Sequence, residues 1–342
     1  MSPRFICRQI TALQLSMRPP VFAVEAGSLF HLLGFGTDNR GTVHLTLNRD
    51  GEIASPATLL QISVLAAGAC GSDLVITGLN EERGVHCVAR LDAKGKVRWE
   101  TPLPTPTSGL VWVLPTCIAG EAATVWENEK ENEGELGIAS VRDGVLGPPE
   151  TSLQPGVAFG IHVATIGTNV FVLRSRGAAR EADLLRIEGG KVIGCASTVR
   201  NAQALAAVGE TLLVLSWTTD RLLLQWFDSS LRPLGPGETI ATVDSPSWIR
   251  FGTLHTSNED RIAVSYETAA AGDYVQLPAG RSERSESSRL FLGSYDRGSR
   301  ALTGVTEITP AGTAWFAAAW IGDRFLLVNG TANPVLSVFD FN

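Results

Sequence analysis

Charge is scarce in this 342-residue chain: 18% of its residues are Asp, Glu, Lys or Arg, against 44% hydrophobic. A disordered polypeptide needs the opposite balance, so the composition excludes one. Cysteine is scarce as well. There are five, at positions 7, 70, 87, 117 and 195, with no CxxC pair and no His-flanked metal spacing among them. That excludes a disulfide scaffold and reads as small buried thiols in a reducing compartment. No apolar run reaches the ~18 residues of a membrane-spanning helix. Residues 1–20 carry Arg4, Arg8 and Arg18 without the apolar core of a secretory leader. The expected location is therefore cytoplasmic. A net charge of −7 argues against nucleic acid or an anionic membrane as partner. The GxSxG, HExxH and GxxxxGK[ST] motifs are missing, which removes the common signatures of nucleophilic, zinc and nucleotide chemistry.

What the chain does contain is a repeat. A turn leading into a short apolar strand recurs at Gly27, Gly71, Gly120, Gly167, Gly209, Glu259 and Gly322, at spacings of 42 to 63 residues. Further on in each unit a second apolar strand runs into an acidic or amide residue, usually with glycine close behind. These sites are Asn48 with Gly51, Asp92 with Gly95, Asp143 with Gly144, Glu188 with Gly190, Asp228, Asp296 with Gly298, and Asp340. Asp, Asn and Gly tolerate the positive φ that tight hairpins require. A unit of this length holds four strands, the size of a propeller blade. The seventh unit runs out at Phe341 before its fourth strand, whereas residues 4–13 form a fourth strand with no unit of their own. The N-terminal strand is thus expected to complete the last blade and close a ring. Two stacked β-sandwiches, or six blades with a stray hairpin, are the competing architectures.

Over its full length the chain resembles the seven-bladed β-propeller superfamily. The hairpin at residues 90–103, with Asp92, Gly95 and Trp99, is similar to a quinoprotein-type blade ending. Only this unit carries the tryptophan, so no quinone role follows and no cofactor is expected. The Gly-His and Trp-Asp pairs of WD40 blades are absent, as is the Kelch double glycine followed by spaced Tyr and Trp. The resemblance implies an all-β fold, one domain over residues 1–342 built of seven four-stranded antiparallel blades. It implies no particular function.

In such a fold the innermost strands line a central channel, and the D-to-A and B-to-C loops share one rim. Aligning the repeats places Arg18, Trp112, Phe159, Arg200, Asn201, Trp248, Arg250 and Trp315 around the channel mouth. Guanidinium forks and aromatic faces there would suit a small anionic or aromatic ligand. The competing reading packs the aromatics between blades and uses the arginines as inter-blade ties. One residue of register decides between them for each side chain. His162 and His255 fall at opposite parity in their strands, so no channel metal is expected. Residues 127–135 (ENEKENEGE) carry five alternate glutamates that an extended hairpin would place on one face. The longest insertion, residues 267–288, holds Tyr274, Val275 and Leu277 as apolar anchors and reads as a partner-binding arm. The functional expectation is a non-catalytic binding protein whose rim and loops engage a protein or peptide. The alternative is a small-molecule receptor or an enzyme of lyase, cyclase or hydrolase type, using the Arg and aromatic ring.

Overall fold

The computed structural model describes residues 5–13, 17–36, 41–104, 110–176, 181–197, 201–245, 247–258, 261–270, 289–308, 315–330 and 334–341. These residues form seven separate antiparallel sheets and no helix. Blade 1 is β2 (Arg18–Ala26), β3 (Leu29–Phe35), β4 (Thr42–Leu47) and β5 (Ile53–Leu60). Blade 2 is β6 (Ile62–Cys70), β7 (Asp73–Asn80), β8 (Val85–Leu91) and β9 (Val97–Pro102). Blade 3 has β10 (Leu110–Ile118), β11 (Glu121–Lys130), β12 (Glu133–Arg142) and an outer strand in two pieces, β13 (Val145–Leu146) and β14 (Glu150–Gln154). Pro148 and Pro149 fall in that break, where a residue without an N–H cannot continue the ladder. Blade 4 is β15 (Ala158–Ile166), β16 (Asn169–Arg176), β17 (Glu181–Glu188) and β18 (Lys191–Ser197). Blade 5 is β19 (Ala202–Val208), β20 (Thr211–Trp217), β21 (Arg221–Asp228) and β22 (Glu238–Thr242). Blade 6 is β23 (Ser247–Asn258), β24 (Arg261–Ala270), β25 (Arg289–Asp296) and β26 (Ala301–Glu307).

Blade 7 takes β27 (Trp315–Ile321), β28 (Arg324–Gly330) and β29 (Val335–Phe341) from the C-terminal end and β1 (Phe5–Ala12) from the other. β1 runs antiparallel to β29 from Phe5 opposite Phe341 to Ala12 opposite Val335. The Leu13 amide donates to the Pro334 carbonyl at 2.8 Å. The side chain of Phe5 enters a cluster of Trp320, Phe325, Phe339 and Phe341, with ring centroids 5.4 to 6.2 Å apart. The ring is therefore closed by strand pairing and by aromatic packing together.

The acidic hairpin residues act through their side chains. Asn48 Oδ1 accepts the amides of Asp50 and Glu52, Asp92 Oδ1 those of Lys94 and Lys96, and Asp228 Oδ1 those of Ser230 and Arg232. One carboxylate or amide thus satisfies two loop donors that the ladder leaves unpaired. Seven apolar clusters hold the blades face to face. One of them joins Phe30, Leu32, Leu45 and Leu47 of blade 1 to Leu326, Val328, Leu336 and Val338 of blade 7, across the seam between the chain ends. Near the axis the innermost strands crowd together, which favours small side chains. The alanine-rich stretches after Gln203 and Phe316 are innermost strands for this reason, despite a composition that favours helix.

One expectation is overturned. Cys70, the last residue of β6, is disulfide-bonded to Cys117 in β10, so the cysteines are not all thiols. The reason is topological: adjacent innermost strands converge, and both cysteines lie near the ends of theirs. Cys7, Cys87 and Cys195 are free. The thiol argument for a reducing compartment falls with this pairing, since disulfides persist mainly in oxidising ones.

Candidate functional site

Six of the seven innermost strands carry a β-bulge near the channel mouth. The register skips between Arg18 and Val21, Val64 and Ala66, Leu110 and Trp112, Ala158 and Gly160, Ala202 and Ala204, and Ile249 and Phe251. The skipped positions hold Pro19 and Pro20, Leu65, Val111, Phe159, Gln203 and Arg250. A bulged residue leaves the ladder, and the parity of the strand restarts after it. Phe159 is 73% exposed and Leu65 45%, far above what large apolar residues show elsewhere in these strands. Sequence alignment of the repeats could not locate the bulges, because an inserted residue looks like any other alternation.

Trp112 and Phe159, aligned as neighbours on one ring, have different surroundings. Trp112 is half-buried at the junction of blades 3 and 4, where its Nε1 donates to the Ala158 carbonyl at 3.0 Å. Phe159, one residue further along, is on the surface. Asn201 enters β19 with φ +61°, its Oδ1 buried without a hydrogen-bond partner among the described residues. Trp248 is half-buried at the start of β23. Arg18, Arg250 and Trp315 lie in strands, but their side chains are outside the described set, as are Arg200, Tyr274, Val275 and Leu277 altogether.

Inside the ring a cavity of about 510 Å³ lies between the second halves of the innermost strands, away from the six bulges at the mouth. Small residues such as Ala23, Ala67, Gly68, Ala164, Ala206 and Ala318 line it, with Glu25 and His255 as its ionisable groups. Both are engaged. Glu25 Oε1 accepts the Gly322 amide at 3.2 Å. His255 Nε2 shares a hydrogen bond with Ser265 Oγ at 2.8 Å, and its ring meets Phe325 edge-on at 5.2 Å. Burial lowers His255 to about 4, so the ring is neutral at pH 7. His162 is lowered to about 4 by the same cause, and it is Val163 that lines the cavity. Among the described residues no three His, Cys, Asp or Glu side chains converge as a metal set.

The most buried charge among the described residues joins blades 3 and 4. Glu127 and Arg174 are both 0% exposed and meet fork to fork, Nε to Oε2 and Nη2 to Oε1, each at 2.7 Å. Glu127 Oε1 also accepts the Ala158 amide at 2.8 Å, and Arg174 Nη2 donates to the Gly156 carbonyl at 2.7 Å. This corrects the reading of residues 127–135. Their two-residue turn, Glu131 and Asn132 at φ +53° and +69°, sets Lys130 opposite Glu133 and Glu127 opposite Leu136. Odd positions on one strand therefore face even ones on the other. Glu127 and Glu129 point to one face, Glu133 and Glu135 to the other, where Glu135 pairs with Lys130 at 3.2 Å. No five-carboxylate face exists.

A closed ring of seven four-stranded blades with a channel through it defines a seven-bladed β-propeller. The structure is similar to the β-propeller domain of Myceliophteria thermophila Cps50 (Swd1), at 12% identity over 99% of both chains and a TM-score of 0.59. It is also similar to the Dos1 propeller, at 11% identity over 91% of this chain and 75% of that one, with a TM-score of 0.50. At such identities the likeness shows the fold alone. No protein-family model matches the chain, and no curated protein matches it in sequence.

Proposed function

We propose that this propeller is a non-catalytic binding protein whose bulged rim engages a protein or peptide partner. The observation that carries the reading is the repeated bulge at the mouth of six innermost strands, which leaves Phe159 and Leu65 exposed beside the channel entrance. Bulges re-aim side chains at the rims of barrels, and here they turn two large apolar groups toward solvent on the same side of the ring. His255 and the buried ion pair are engaged within the fold, whereas the rim presents apolar side chains to solvent.

The test places photoreactive benzoylphenylalanine at Phe159, or at Ile10 on the outer strand of blade 7, which is also exposed. The modified protein is illuminated in extract from its own host. The expected result is a discrete adduct from position 159 that position 10 does not give and that Leu65→Asp abolishes. Identical adducts from both positions, or none from 159, would overturn the rim as the binding surface.

A further inference from the structure

The junction of blades 3 and 4 shows how this protein seats a guanidinium. Arg174, the sixth residue of β16, reaches across to Glu127, the seventh residue of β11, and is capped by the carbonyls of Pro155 and Gly156 from the loop between the blades. The same positions at the junction of blades 5 and 6 hold other residues. The sixth residue of β24 is Tyr266, and the seventh of β20 is Trp217. Across the sheet, Arg174 lies opposite Asp183, and Tyr266 lies opposite Phe291. The internal cation and one of its acids are thus replaced by two aromatic rings, stacked at 5.2 Å with 18° between their planes.

In place of the missing guanidinium there is a cavity of about 630 Å³, within the range that ligand sites occupy. Tyr266 and Phe291 border it together with the hydroxyls of Ser247 and Thr268 and the carboxylates of Asp244 and Glu307. Asp244 comes from the loop between blades 5 and 6, the counterpart of the loop that caps Arg174. Among the described residues Arg289 is the one cation on the wall. Its Nη1 stands 3.8 Å from Glu307, and both side chains are exposed, so the described lining keeps one net negative charge. The chain as a whole is also negative, by seven charges.

We propose that this cavity is a receptor for a guanidinium group, an arginine side chain supplied by the partner. The inference rests on the reading of the protein as a binder of protein or peptide. A guanidinium is planar and weakly hydrated, stacks on aromatic faces, and donates in a fork that a carboxylate matches. An ammonium lacks the plane and is strongly hydrated, so the flat aromatic floor selects arginine over lysine. Asp244 plays the part that Glu127 plays internally, with Ser247 and Thr268 as further acceptors.

The experiment titrates the intact protein with Nα-acetyl-arginine methylamide, and separately with its citrulline and lysine counterparts, by calorimetry or ligand-observed NMR. The arginine derivative is expected to bind at least tenfold more tightly than the neutral citrulline isostere and more tightly than the lysine form. Asp244→Asn, at an exposed loop position, should weaken it at least tenfold with the melting temperature unchanged. Ser247→Trp, which fills the cavity from its edge, should abolish binding. Equal binding of the arginine and citrulline derivatives, or an Asp244→Asn variant that binds as well as the parent, overturns the proposal. Its fate is separable from that of the rim. Adducts at position 159 without arginine binding would sink the cavity and leave the rim, and arginine binding without adducts would do the reverse.

Discussion

Removing one member of the Glu127 and Arg174 pair should harm the protein more than removing both. Neither side chain is exposed, and four hydrogen bonds of 2.7 to 2.8 Å run through the two groups. Arg174→Met keeps the side-chain length but leaves a buried carboxylate with the Ala158 amide as its remaining partner. Stranding a buried charge in this way costs about 3–5 kcal/mol. Glu127→Leu removes the carboxylate and strands the guanidinium instead. Asp183, whose carboxylate stands 3.9 Å from Arg174, and the Gly156 carbonyl soften that loss, so about 2–4 kcal/mol is expected. The double variant Glu127→Leu with Arg174→Met buries apolar groups where the charges were, and apolar replacement of such pairs is often neutral. It should therefore lose at least ~2 kcal/mol less than the sum of the two stranded singles. Urea unfolding at pH 7, read as the shift in midpoint at unchanged slope, measures all three. Losses that add to within ~0.5 kcal/mol would mean that the two residues do not meet, and the junction of blades 3 and 4 would be wrongly drawn.

Stability should decline in mild acid because buried histidines must stay neutral. Burial, with the charge of His31 second, holds His44 at about 3, and burial holds His162 and His255 at about 4. The unfolded chain protonates these rings near pH ~6.5. Stability is therefore complete above that pH and falls as pH drops toward the folded values, by about 1.4 kcal/mol per unit for each ring. Urea midpoints that stay constant from pH 7 to 5 would contradict this. Two glycines with positive φ should behave differently when replaced by alanine. At Gly95 a new Cβ would sit 2.1 Å from His44 Nδ1, whereas at Gly71 it would meet nothing. Gly71→Ala should cost about 1 kcal/mol of backbone strain and Gly95→Ala roughly 3 kcal/mol or more, and equal melting temperatures would refute the contact between blades 1 and 2. Native alkylation should modify Cys7 and Cys195, which are exposed, and spare Cys87, whose thiol burial pushes to about 12. Labelling of Cys70 or Cys117 without prior reduction, followed by mass spectrometry, would disprove their bond.

The architecture was legible because each blade repeats two turn signals with fixed chemistry. Asn48, Asp92 and Asp228 are recognisable in sequence for the reason they work in the structure, a side chain that caps its own hairpin. Ring closure was legible from an orphan strand at one end and a missing strand at the other. The site was legible only to the level of a rim. Phe159 and Trp112 differ by whether they stand on or after a bulge, and a single inserted residue is invisible to alternation. The glutamates of residues 127–135 misled through the same parity: a two-residue turn sends equal spacings to opposite faces. The disulfide was hidden because Cys70 and Cys117 are 47 residues apart and meet only where two blades converge. The cavity between blades 5 and 6 depends on what is missing at Tyr266 relative to Arg174, a comparison that requires the register of both sheets.

Hydrogen exchange of β29 tests ring closure, on which the channel and its rim depend. In the closed ring Val335–Phe341 lies between β28 and β1, so amides pointing to either side are bonded. Mass spectrometry of a peptide covering residues 334–341 should show protection across the strand comparable to that of residues 85–91, which lie between β7 and β9 inside blade 2. Rapid exchange of about half of those amides, the half that alternation directs toward β1, would mean that the two ends of the chain do not pair and that the propeller is open.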